Sequence, residues 1–210
     1  MSPFIRYILL VFEEITQIFF PLSEDERLVK RLTVSHVEQK LAVRTHDGVI
    51  CLTHFSDPDI RALIHLTKFH HHPRALQLTS ELLTTWLTAH AHEPTVLIPI
   101  PLSTKRYRQR GYNQVELIIR ASQKALPKHV LNTTALRRVK HTTPQTSLTR
   151  AERLRNMTDA FSATAGAAEV RGKHVIIIDD VMTTGATLKA ARAVLTPYEP
   201  TSLQCLAIAH

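Results

Sequence analysis

Asp179 and Asp180 are the residues in this chain best placed to do chemistry. They follow Val175-Ile176-Ile177-Ile178 and precede Val181-Met182-Thr183-Thr184-Gly185-Ala186-Thr187-Leu188. Four consecutive β-branched residues read as a strand buried on both faces, as in a parallel sheet. Two carboxylates at the end of such a strand are costly to place without partners. The loop from Thr183 to Thr187 is small and hydroxyl-rich, and Leu188 to Leu195 has helical composition. Backbone N–H groups and a helix N-terminus then surround one point, which suits an anion, and phosphate is the expected one. Carboxylates are unsuited to phosphate, but they accept hydrogen bonds from sugar hydroxyls or meet a metal ion. The segment reads as a site for a phosphorylated sugar. The alternative is an ordinary βα turn in which the aspartates cap the following helix.

The whole chain bounds what can surround that site. Its 210 residues suffice for one packed α/β domain with a small appendage, and a hydrophobic content of 44% is ordinary for a globular protein. Cys51 and Cys205 are too few for a disulfide framework or a zinc site, which fits a reducing cytoplasm. The formal net charge is +8, unevenly spread. Residues 105–155 hold 13 of the 26 Lys and Arg, with only Glu116 and Glu152 as acids, a net +11. Such a block implies an anionic partner, either a diphosphate substrate or a nucleic acid.

The positioning elements follow in chain order. Phe4 to Phe20 is apolar and helix-like, but Arg6, Glu13, Glu14 and Gln17 interrupt it. The run from Tyr7 to Phe12 is too short to span a bilayer, and no small-residue cleavage site follows. The expectation is a packing helix with no integral membrane segment. Residues 24–42 read as a solvated helical connector opened by Ser23-Glu24-Asp25-Glu26. Val49 to Phe55 is a strand candidate after the turn Asp47-Gly48, and Asp57-Pro58 starts a helix to Phe69. Another helix runs from about Arg74 to His90. His70-His71-His72 lies between them, and adjacent residues on a helix diverge too far to share one ion. Val96 to Pro101 is a strand, with prolines placing it at an edge or close to its end. Leu102 to Gln114 reads as a basic and polar loop, Asn113 to Leu126 as a capped helix, Val130 to Val139 as an extended stretch, and Ser202 to Ala209 as the last strand. The connection from Arg137 to Arg155 is long for a compact domain, and such connections are often lids.

The segment at Asp179 resembles the motif that binds 5-phosphoribosyl-1-diphosphate (PRPP) in type I phosphoribosyltransferases. Asp179 and Asp180 match its acidic pair, and Thr183, Thr184, Gly185, Ala186 and Thr187 match its 5′-phosphate loop. Further stretches narrow the resemblance to the ComF family, associated with competence and DNA uptake. They are Ile64 to Phe69, Ile98-Pro99-Ile100-Pro101, Arg110-Gly111-Tyr112-Asn113-Gln114, Thr143 to Asn156 and Ala160-Phe161. The match covers roughly residues 58–209. The Cys-x-x-Cys zinc knuckle carried by many members is missing from this sequence.

The resemblance implies a type I phosphoribosyltransferase fold: a mostly parallel twisted sheet flanked by helices, with a small N-terminal helical and strand appendage. The expected division is 1–56 for the appendage and 57–210 for the catalytic-type domain. Asp179 and Asp180 would hold the ribose hydroxyls as the catalytic pair, and the loop would bind phosphate. Lys105, Arg106 and Arg110 are the candidate pyrophosphate contacts, with Gly111 letting the backbone approach a ligand. Arg150, Arg153 and Arg155 belong to the candidate lid. No residue is assigned directly to a metal: Mg²⁺ would arrive with PRPP and meet Asp179 or Asp180. The implied activity is transfer of a 5-phosphoribosyl group to a nitrogen acceptor. In several relatives the base-reading region follows the last strand, and the end at His210 leads one to expect a small or unusual acceptor, or no catalysis. The alternative is a non-catalytic PRPP-binding module that partners a DNA-uptake helicase and contacts single-stranded DNA. A homodimer stays open.

Overall fold

Strand β7 (His174–Val181) carries the run of β-branched residues and lies inside a six-stranded sheet. The computed structural model describes residues 22–92, 94–139 and 160–210. The apolar helix expected at 4–20 and the lid residues Arg150, Arg153 and Arg155 lie outside the described residues. The other strands of the large sheet are β1 (Arg44–His46), β2 (Val49–Thr53), β3 (Thr95–Pro99), β4 (Val130–Leu131) and β8 (Ser202–Ala209). Their spatial order is β1-β2-β8-β7-β3-β4. All neighbours pair in parallel except β1 with β2. Pro99 ends β3, and the strand is central, flanked by β7 and β4.

Alternation along β7 sends its side chains to two layers. Ile176 and Ile178 join one core, with α1 (Glu24–Arg31), α2 (Val34–Glu38), α3 (Pro58–Phe69), α4 (Pro73–His90) and α6 (Gln114–Ser122). Val175 and Ile177 join the other, under α7 (Ala186–Leu195) and the 3₁₀ turn Ala165–Val170. A strand buried on both sides needs no polar alternation, which explains its composition.

Several local expectations change in the structure. The connector at 24–42 is packed rather than solvated. Ser23 and Glu26 form the capping box of α1, and Val29 and Val37 are fully buried against the helical layer. Residues 104–110 are helical rather than a loop, forming α5 (Thr104–Arg110), with Ser103 accepting from the Arg106 amide. No residue of α5 is buried, so no apolar stripe marks it in the sequence. Gly111 stops this helix at φ 78°, its amide bonded to the Tyr107 carbonyl and open space around it. It caps α5 in the left-handed conformation. The stretch from Val130 to Val139 is divided by an Asn132 turn, in which Oδ1 accepts from the Thr134 and Ala135 amides. β4 stays in the large sheet, whereas β5 (Leu136–Arg138) forms an antiparallel ribbon with β6 (Phe161–Ala163).

Helix α3 is the element that shapes the top of the sheet. Asp57 caps it by accepting from the Asp59 and Ile60 amides, and the Lys40 ammonium pairs with both Asp57 and Asp59, at 2.8 and 2.7 Å. The chain just before it is bound to the end of β8 through the Phe55 amide and the His210 carbonyl. Its far end reaches Asp180, where Lys68 lies 3.3 Å from the carboxylate. Both ends of α3 therefore lie at the carboxyl edge of the sheet. After it, the His71 amide donates to the Tyr112 hydroxyl, and His72 caps α4. The histidine cluster thus serves a turn and a cap.

Candidate functional site

The parallel strands present Asp179 and Asp180 at their common carboxyl edge, beside the βα loop leading into α7. Neighbouring residues on a strand point to opposite faces, but the two carboxyl groups remain close enough for a side-chain hydrogen bond between them. Asp180 falls on the side of α3 and α6 and is 7% exposed. Its Oδ2 accepts from Gln114 Nε2 at 2.7 Å and faces Lys68 Nζ at 3.3 Å. Its Oδ1 accepts from the Val181 amide. Gln114 in turn accepts from Arg110 at 3.1 Å, giving a continuous chain Arg110–Gln114–Asp180–Lys68.

Asp179 sits differently. Its Oδ1 accepts from the Asp180 amide at 2.9 Å. Burial, and after it the Asp180 carboxylate, push the Asp179 carboxyl up to about 8. The Arg138 guanidinium on β5 lies over the Phe161 ring at 5.3 Å and within the field of Asp179. Burial, and then Arg106, lower the pKa of Arg138.

The loop after β7 leaves Thr183 and Thr184 exposed and turns at Gly185, whose φ is 69°. No side chain caps α7, so its first amides are left for another acceptor. Gly185→Ala is expected to cost about 1–2 kcal/mol, because a left-handed L-residue is strained. The added Cβ would also press on Met182 Sδ at 3.3 Å. Thermal unfolding should show a drop of a few degrees.

Of the pyrophosphate candidates, Arg110 is joined to the acidic pair through Gln114, and Arg106 is close enough to Arg110 to lower its pKa, after burial. Lys105 is exposed on α5, with no contact to either aspartate among the described residues. Lys68, Gln114 and Arg138 were not picked out from the sequence as site residues. Gln114 and Lys68 lie within the family-like stretches, which was the signal available. Among the described residues no group of three or more His, Cys, Asp or Glu could hold a metal ion. A half-buried carboxylate beside an anion loop fits Mg²⁺ brought in on substrate phosphates, the usual way for this ion. No described helix is long and apolar enough to cross a membrane.

Residues 120–210 match the phosphoribosyl transferase domain. Competence protein F of Haemophilus influenzae is 34% identical over 117 residues, covering 56% of this chain and 51% of that protein. DNA utilization protein YhgH of Escherichia coli K12 is 30% identical over 136 residues, covering 62% and 58%. Competence protein ComFC of Bacillus subtilis is 35% identical over 117 residues, covering 55% and 45%. The chain thus spans about half the length of the curated relatives it matches. The solved glutamine PRPP amidotransferase of B. subtilis, complexed with ADP and GMP, aligns over 69% of this chain and 30% of its own. Its identity is 16% and its TM-score 0.42, too loose to transfer residue roles.

Sheet, acidic pair and domain match together define a type I phosphoribosyltransferase fold. Within that class, the chain is similar to competence proteins F and ComFC and to DNA utilization protein YhgH.

Proposed function

We propose that the chain binds PRPP with Mg²⁺ and transfers the 5-phosphoribosyl group to a nitrogen acceptor, releasing pyrophosphate. The observation that carries this reading is the unequal acidic pair. Asp180 is locked by Gln114 and Lys68, whereas Asp179 is the more exposed of the two and lies beside the uncapped end of α7. Asp179 accepts the ribose hydroxyls, and Asp180 holds its neighbours in place. Amides and hydroxyls from Thr183, Thr184, Gly185, Ala186 and Thr187 take the 5′-phosphate. Mg²⁺ bound with PRPP supplies charge neutralisation on the phosphate oxygens. The acceptor nitrogen bonds to C1 as the C1–O bond breaks, and the bond electrons leave on pyrophosphate. The acceptor's proton passes to solvent. Arg106 and Arg110 offset the growing negative charge, and Arg138 lies within their reach. We assign the protein to the cytoplasm and take 57–210 as the domain, with 1–56 as an N-terminal part that adds β1 and β2 to its sheet. The names of its relatives support a role in competence and DNA uptake.

A second reading is favoured by α5. Lys105, Arg106 and Arg108 stand exposed there with Tyr107, which is 52% exposed, and no acid pairs with them among the described residues. Single-stranded DNA would fit such a surface, with the PRPP site acting as a sensor and a helicase as partner. The deciding experiment follows pyrophosphate release from PRPP·Mg²⁺ across a panel of nitrogen acceptors. Release with one acceptor supports the transferase. Binding without release on any acceptor supports the sensor, and DNA affinity that falls steeply with salt supports the DNA contact.

A further inference from the structure

We infer that Gln114 is a positioning residue that reserves Arg110 for the 1-diphosphate, and so makes the site prefer PRPP over ribose 5-phosphate. This rests on the transferase reading above and assigns a specificity-determining role within that same site. Gln114 opens α6 and is only 3% exposed. Its backbone is fixed to the sheet through its neighbour. Asn113 caps α6 by accepting from the Val115 amide, and its Nδ2 donates to the Ile100 carbonyl at 2.9 Å. The Ile100 amide donates in turn to the carbonyl of Ile178, the residue before Asp179. The start of α6 is therefore tied to the carboxyl edge of β3 and β7.

The Gln114 side chain stands between two groups that would otherwise suit each other as an ion pair. Its Nε2 donates to Asp180 Oδ2 at 2.7 Å, and its Oε1 accepts from Arg110 Nη1 at 3.1 Å. A carboxylate only accepts and a guanidinium only donates, so a neutral amide serves both and adds no charge. The charges are divided accordingly. Lys68 lies 3.3 Å from Asp180 and balances it, whereas no acid lies within ion-pair distance of Arg110 among the described residues. An Arg110 paired directly with Asp180 would have its charge neutralised inside the protein. Held through Gln114, it keeps that charge and has further N–H donors for phosphate oxygens. The bond also limits where the guanidinium can go. Arg110 ends α5, four residues before Gln114, with the left-handed turn at Gly111 between them. Ribose 5-phosphate carries only a hydroxyl at C1, so it gains little from a guanidinium held in this way.

The test is titration calorimetry on the full chain with PRPP and with ribose 5-phosphate, each with Mg²⁺. Wild type should bind PRPP more tightly. Gln114→Met keeps the length of the side chain but makes neither hydrogen bond, and should lower PRPP affinity about tenfold. Ribose 5-phosphate affinity should fall much less, because Lys68 still balances Asp180. Gln114→Glu still accepts from Arg110 but neutralises it, so it too should narrow the preference, and it decides the matter if the Met variant does not fold. A double-mutant cycle with Arg110→Met separates positioning from a purely structural role. Once Arg110 is gone, Gln114→Met should cost little further PRPP affinity, whereas a structural role leaves the two losses additive. If wild type does not bind PRPP·Mg²⁺, the transferase reading fails and this inference fails with it. If wild type binds, but the Gln114 variants keep its preference or the two losses add, the positioning role alone is overturned.

Discussion

Asp179→Asn is expected to remove the thermal stabilisation that PRPP·Mg²⁺ gives the wild type. At a hundred times Kd, a ligand of the folded state adds about 2.7 kcal/mol. For a chain of this length that is roughly 5–10 °C in Tm. Asn has nearly the shape of Asp but lacks the charge that draws sugar hydroxyls and Mg²⁺, so the shift should fall to about a degree. The unliganded variant should also be more stable than wild type near pH 8. Burial and the Asp180 carboxylate both oppose ionisation of Asp179, and Asn relieves that opposition. Asp180→Asn should behave in the opposite way. It takes the anion away from Lys68 and weakens the bond from Gln114, so the unliganded protein should lose about 1 kcal/mol. Differential scanning fluorimetry with and without ligand reads all three proteins. A full ligand shift in Asp179→Asn would falsify the role given to that carboxylate.

PRPP affinity is expected to rise about tenfold per pH unit from pH 6.5 to about 8 and then level off. Only an ionised Asp179 accepts two hydroxyl donors, and its carboxyl is pushed up to about 8. A phosphate monoester is already largely doubly ionised above pH 6.5, so the ligand contributes little to the slope. The sign for stability is the reverse. The folded pKa is raised above the unfolded value of 3.8, so the folded state holds this proton more tightly. Its contribution to stability is complete below the unfolded value and is lost as pH rises through about 8. Unliganded stability thus falls across the window in which affinity climbs. Asp180→Asn should move the affinity midpoint to lower pH, because it removes the second cause of the shift. Calorimetry at pH 6.5, 7, 8 and 9 checks both proteins, and a flat profile for the wild type would contradict the assignment.

What could be read in the sequence was what neighbouring residues decide. The β7 strand, the Asp57-Pro58 start of α3 and the span Ser202–Ala209 of β8 rest on runs and caps only a few residues long. α5 escaped notice because a helix without an apolar face has no periodicity to detect, and its charges resemble those of a loop. The packing of 24–42 was hidden because Val29 and Val37 are the only buried residues in their two short helices. At the site, the acidic pair was visible but its asymmetry was not. The Gln114–Asp180 bond spans 66 residues and depends on how α6 meets β7, which no local pattern encodes.

Helix α3 is held at each end by an ion pair: Lys40 with Asp57 and Asp59 at its start, Lys68 with Asp180 at its finish. Its 12 residues make a rigid rod of about 18 Å. A ligand drawing on Lys68 and a protein gripping the α1–α2 segment near Lys40 would act on the same rod. Whatever factor one imposes on the affinity of the other must be returned unchanged in the opposite direction. Lys40 and Lys68, at opposite ends of this rod, tie the α1–α2 segment to the acidic pair.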